Sequence, residues 1–101
     1  MEDIQIIREF KKKIQESFPD AVIYFYGSRV NKTHREDSDY DVLIILKEIT
    51  PTIRQSVYDI AWETGFKYDA IIAPVLSTAD VFYPSTVSPF LNEVKLHGVA
   101  V

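Results

Sequence analysis

The sequence predicts an α/β (α+β) fold, a small mixed β-sheet with helices packed on it. Three observations carry that reading. Short β-branched and aromatic runs alternate with stretches in which apolar residues recur every three or four positions. Glycines and prolines fall at the boundaries between them. The 101 residues are 47% hydrophobic and 13% aromatic. That is enough for one core, so a single domain spanning 1–101 is expected rather than a disordered chain.

The first helix is read over 3–18, where Ile4, Ile7, Phe10, Ile14 and Phe18 form one face and Pro19-Asp20 ends it. Ala21 to Tyr26 (AVIYFY) is apolar on both faces, the pattern of a central strand. Residues 29–38 (RVNKTHREDS) are polar and form a loop, and a second strand follows over 40–46 (YDVLIIL). Thr50 is a candidate N-cap for a helix starting at Pro51, with Ile53, Val57, Ile60 and Ala61 as its apolar stripe and Gly65 as its end. A third strand is expected over 67–75 (KYDAIIAPV), a loop over 76–86, and a last helix from Ser88-Pro89 through Leu91, Val94 and Lys95 to Gly98. Element order leaves open which strands run parallel.

Composition removes several functions. There is no cysteine, which excludes disulfide scaffolds, thiolate zinc sites and cysteine nucleophiles. The longest aliphatic run, Val42 to Leu46, is too short for a membrane helix. Such a helix needs roughly 20 residues. The acidic start Met1-Glu2-Asp3 is no signal peptide, so no membrane association and a cytoplasmic location are expected. With 11 Lys+Arg against 15 Asp+Glu, the net charge of -4 argues against non-specific nucleic-acid binding. It is compatible with phosphate chemistry carried by metal ions, which clustered carboxylates serve.

The chemistry gathers at two strand ends. The first strand runs into Gly27-Ser28, and ten residues later Asp39-Tyr40-Asp41 opens the second. Side chains alternate across a strand, so Asp39 and Asp41 share a face, with Cα atoms roughly 6.5 Å apart, while Tyr40 points away. Asp69 holds an early position in the expected third strand, and if that strand lies beside 40–46 the three carboxylates meet at one sheet end. Two carboxylates about 4 Å apart repel by roughly 4 kcal/mol at an effective dielectric of about 20, and a hard, oxygen-ligated Mg²⁺ resolves that conflict. Gly27 allows a sharp turn, the Ser28 hydroxyl and following N–H groups can hold phosphate oxygens, and Arg29, Lys32 and Arg35 bring positive charge. This layout suits metal-dependent phosphoryl or nucleotidyl transfer.

Gly27-Ser28, ten residues, Asp39-Tyr40-Asp41 and the apolar run VLIIL resemble the signature of the polymerase-β-like nucleotidyltransferase superfamily, and more closely its minimal nucleotidyltransferase subgroup, GSx10DxD. The resemblance covers nearly the whole chain. It implies the nucleotidyltransferase fold and a Mg²⁺-dependent enzyme, with two ions, that moves AMP from ATP to a hydroxyl. Gly27, Ser28 and Arg29 would bind the nucleoside triphosphate. Asp39 and Asp41 would ligate both ions, and Asp69 would ligate the catalytic one and help deprotonate the attacking hydroxyl. The implied partner is a HEPN-domain helical toxin encoded nearby, adenylylated on a tyrosine, with this chain as the antitoxin. Two alternatives stand beside it: transfer to a small hydroxyl compound such as an aminoglycoside, and a non-catalytic nucleotide-binding module that neutralises a partner by contact.

Other residues have plainer readings. His34 and Lys11-Lys12-Lys13 read as solvated, His97 as a cation at a helix end, and Trp62 as core. Val81-Phe82-Tyr83-Pro84 and the tail Val99-Ala100-Val101 read as either core or a partner surface, the partner reading being favoured for the first because a loop exposing Phe and Tyr needs cover.

Overall fold

The computed structural model describes residues 2–27, 39–84 and 87–101. Its elements are α1 (Glu2–Ser17), β1 (Val22–Tyr26), β2 (Tyr40–Leu46), α2 (Pro51–Lys67), β3 (Ile72–Thr78), a short α3 (Ala79–Phe82), α4 (Pro89–His97) and β4 (Val99–Ala100). Two helix starts are fixed as their sequences dictate. The Thr50 hydroxyl accepts from the Ile53 N–H at 3.1 Å. The Ser88 hydroxyl accepts from the Leu91 N–H at 3.2 Å. Each cap stands ahead of a proline in the first turn.

The four strands form one mixed sheet in the order β3-β2-β1-β4. β2 pairs antiparallel with β1 and parallel with β3, and β4 adds a short antiparallel edge to β1. The parallel pair needs a crossover, and α2 supplies it.

Each face of the sheet has its own core. Ile7, Phe10 and Ile14 of α1 and Val57 and Ala61 of α2 pack on Ile23, Phe25, Val42, Ile44 and Leu46. Phe82, Leu91 and Val94, from α3 and α4, cover Leu43 and Ile45, with Val22, Tyr24 and Tyr26 partly buried against them. Strand alternation makes this division: even positions of β2 face the long helices and odd positions the short ones.

Several expectations need correction. The third strand covers Ile72–Thr78, not 67–75. α2 continues past Gly65 to Lys67, the Tyr68 and Ala70 N–H groups return to the Gly65 carbonyl, and Asp69 takes a left-handed conformation (φ 53°). The ladder with β2 begins only where Ile72 meets Tyr40. Gly65 therefore does not end the helix; its missing side chain admits the Ala70 carbonyl, which a Cβ would strike. The stretch read as a loop over 76–86 contains the end of β3 and all of α3, and Phe82 is core while Val81 and Tyr83 are exposed. Trp62 is not core: 68% of it is exposed. Among the described residues, no helix is long and apolar enough to cross a membrane.

Candidate active site

The antiparallel register of β1 and β2 puts the end of one strand beside the start of the other. Tyr26 stands opposite Asp41, and Gly27 follows at once. Gly27 has φ 91°, a conformation that favours glycine. The lost side chain also makes room, because a Cβ on Gly27 would lie 3.2 Å from the Asp41 Cγ and closer still to Oδ2. The Asp41 carboxylate is thus laid against bare backbone at the strand exit.

Asp39 and Asp41 come together on the face covered by the short helices, as alternation requires. Tyr40 between them turns to the other face, where it is buried, stacks on Phe25 at 6.3 Å and donates a hydrogen bond to Asp3 Oδ1 at 2.8 Å. Asp41 is half-buried, and this desolvation, followed by the charge of Asp39, pushes its carboxyl above the usual range. Asp39 is exposed at the mouth. On the side away from β1, Asp41 pairs with the small residue Ala73 of β3.

Asp69 is placed differently. Its strand does lie beside β2, yet Asp69 sits three residues before the first paired position, exposed in the turn after α2. Among the described residues, no group of three His, Cys, Asp or Glu side chains is arranged to hold a metal ion. The donor set brought together is Asp39 with Asp41. Two carboxylates in a half-desolvated, like-charged pair fit a hard divalent cation, which takes one or two protein carboxylates and fills its other positions with water and phosphate oxygens. Ser28, Arg29, Lys32, His34 and Arg35 lie outside the described residues.

Sequence reasoning missed two residues beside the pair. Tyr26 is half-buried, and burial together with the Asp41 charge pushes its phenol up to about 12, so it remains a neutral hydrogen-bond donor. Phe90, in the first turn of α4, meets Tyr26 edge-on at 5.3 Å. Tyr26 ends the strand before the loop and Asp41 lies near the start of the strand after it, so an antiparallel pairing of the two strands would have placed them near each other. Nothing local in the sequence pointed to Phe90, which meets Tyr26 from more than sixty positions along the chain.

The family model of the nucleotidyltransferase domain matches residues 7–96, from within α1 to within α4. The chain belongs to the nucleotidyltransferase domain family. This nucleotidyltransferase domain is 38% identical to "Putative protein adenylyltransferase MJ0141" of Methanocaldococcus jannaschii, over 106 aligned positions covering all of both chains. Two solved structures share its fold. A toxin–antitoxin with AMP-PNP is 19% identical with a TM-score of 0.62, over 91% of this chain and 69% of that one. A mutant of the toxin–antitoxin MntA–HpeT is 18% identical with a TM-score of 0.64, over 92% of this chain and 69% of that one. The mixed sheet with helices on both faces is the nucleotidyltransferase fold that the family resemblance implied.

Proposed function

We propose that this nucleotidyltransferase adenylylates a tyrosine on a HEPN-type helical partner, taking AMP from ATP, and so acts as the partner's antitoxin. The observation that carries the proposal is the Asp39–Asp41 pair, with Asp41 laid against Gly27, in a chain related over its whole length to a protein named for adenylyl transfer to protein. The structural neighbours add support, since both are toxin–antitoxins and one was solved with AMP-PNP.

In this reading Asp39 and Asp41 hold Mg²⁺, and Gly27, Ser28 and Arg29 bind the triphosphate. When bound, Mg²⁺ neutralises phosphate charge and stabilises the oxygens that attack and leave. The acceptor oxygen attacks the α-phosphorus, the bond to the bridging oxygen of the β-phosphate breaks, and pyrophosphate leaves. The hydroxyl proton passes to a base, a role proposed for Asp69. The bare edge of Gly27 sets where the Asp41 carboxylate stands, so that ligand is placed before substrate arrives.

The test is incubation with α-labelled ATP, Mg²⁺ and the product of the neighbouring gene. Label on a partner tyrosine is expected, with a loss of about a thousandfold or more in the Asp39→Asn, Asp41→Asn double variant, and none of it without divalent cation. Transfer that survives the double substitution overturns the assignment.

A further inference from the structure

The site leaves unused a feature of the opposite layer. α2 carries Tyr58, Trp62 and Phe66 at four-residue intervals, a spacing that lines them along one side of the helix. All three are exposed, Phe66 to 74%. The Trp62 and Phe66 rings stack at 5.1 Å, 17° from parallel. The Tyr58 hydroxyl accepts from Arg54 at 3.2 Å. Val57, Ala61, Thr64 and Gly65 form the buried side of the same helix. Three neighbouring exposed rings make a contiguous apolar patch, of the kind that on a monomer often serves binding. Its stacked rings are ordered already, so docking costs little side-chain freedom.

Two further observations say what covers it. Asp59 and Glu63 stand one position on from Tyr58 and Trp62, making an acidic row alongside the aromatic one in a chain of net charge -4. The stripe also runs toward the chemistry. α2 ends at the sheet end where β2 and β3 begin. Just beyond it the exposed Ile71 accepts, through its carbonyl, from the Tyr40 N–H at 2.8 Å, between the two acids.

We infer that this stripe docks the protein that receives the nucleotide, through an apolar helical face flanked by Lys or Arg. The inference rests on the protein-adenylylation reading above. The partner's apolar residues cover the rings, its cations meet Asp59 and Glu63 or lie over the ring faces, and its acceptor hydroxyl is carried to the Asp39–Asp41 end.

Trp62 is the one tryptophan of the chain, so its emission reports docking directly. The experiment compares wild type, Trp62→Ser with Phe66→Ser, and Trp62→Phe, using α-labelled ATP, Mg²⁺ and the neighbouring gene product, with a thermal shift by Mg²⁺-ATP on each protein. Expected are a blue shift of wild-type emission on adding the partner, a tenfold or greater loss of kcat/KM for partner labelling in the double variant, near-complete retention in Trp62→Phe, and equal thermal shifts in all three. Unchanged labelling by the double variant, or labelling with no movement of Trp62 emission, overturns the docking surface. A thermal shift lost with the rings also overturns it, because the rings would then serve the nucleotide. A wild type that binds Mg²⁺-ATP but labels no partner overturns the adenylylation reading itself.

Discussion

The two faces of the sheet are built unequally. Under α1 and α2 lie Ile7, Phe10, Ile14, Ile23, Val42, Ile44 and Val57, all with no exposed surface. Under α3 and α4 the fully covered set shrinks to Leu43, Phe82 and Val94, supported by tyrosines that stay partly exposed. A helix of 16 residues and one of 17 cover the first face, against four and nine on the second. The thick face supplies most of the burial that holds the fold together. Among the described residues the thin face covers the adjoining ends of β1 and β2 less completely, and Asp41 and Tyr26 lie there half-buried. The fold thereby separates its main core from the candidate site.

That division is sharpest in core truncation. Phe10→Ala is expected to cost about 4 kcal/mol, because two long helices and the sheet cannot collapse around the void. Phe82→Ala removes as large a ring from a short helix that can settle inward, for about 3 kcal/mol. Urea unfolding of both variants measures the gap, and equal losses would erase the contrast between faces. Phe82→Ala should also loosen the ring contact it makes with Tyr24 at 5.3 Å and lower transfer, whereas Phe10→Ala at temperatures where it stays folded should not.

Gly27→Ala tests the thin face alone. The positive φ costs about 1–2 kcal/mol in an alanine. The new methyl also displaces the Asp41 carboxylate. About a hundredfold loss in kcat with that modest loss of stability is expected. An active alanine variant would mean that the carboxylate is not set by this contact.

The smallest effect belongs to the thick face. Glu9 of α1 accepts from the Tyr68 hydroxyl and from Lys67 Nζ at 3.1 Å, tying α1 to the end of α2. The Tyr68 hydrogen bond, then Lys67, holds the Glu9 carboxyl below its ordinary range, while Glu9 raises both Lys67 and Tyr68. A depressed carboxylate contributes stability above its unfolded value and loses it as pH falls through the folded one. The raised lysine and phenol contribute below their unfolded values and lose it as pH rises through the folded ones. The contribution of this cluster should therefore be flat from above the glutamate range to below the tyrosine and lysine range, with a shallow loss on each side. Tyr68→Phe should lessen both limbs in thermal melts run across pH, with transfer at neutral pH unchanged.

Much of this was legible in the sequence where the cause is local. Thr50 and Ser88 cap their helices as their positions announce, and the alternation of β2 puts Asp39 and Asp41 on one side and Tyr40 on the other. Local patterning failed where tertiary contacts decide. Lys67 to Val75 reads as a strand, but Phe66 and Lys67 finish a helix, Asp69 makes a left-handed turn, and pairing with β2 extends the strand to Thr78. In α2 the three- and four-residue spacing picked out the Val57–Ala61 side, which is the buried one, but apolar residues lie nearly all round the helix, so the pattern did not show that Trp62 stands exposed on another side. Phe82 looks like an exposed loop residue until the sheet beneath it is known.

The contact between Gly27 and Asp41 also sets how the site tolerates change. A carboxylate resting on a neighbouring side chain drifts whenever that neighbour is replaced. Here it rests on main chain, whose shape is the same for every sequence that keeps the strand. The surrounding residues are free to vary, and the whole demand for constancy falls on one position, which only the smallest amino acid can fill.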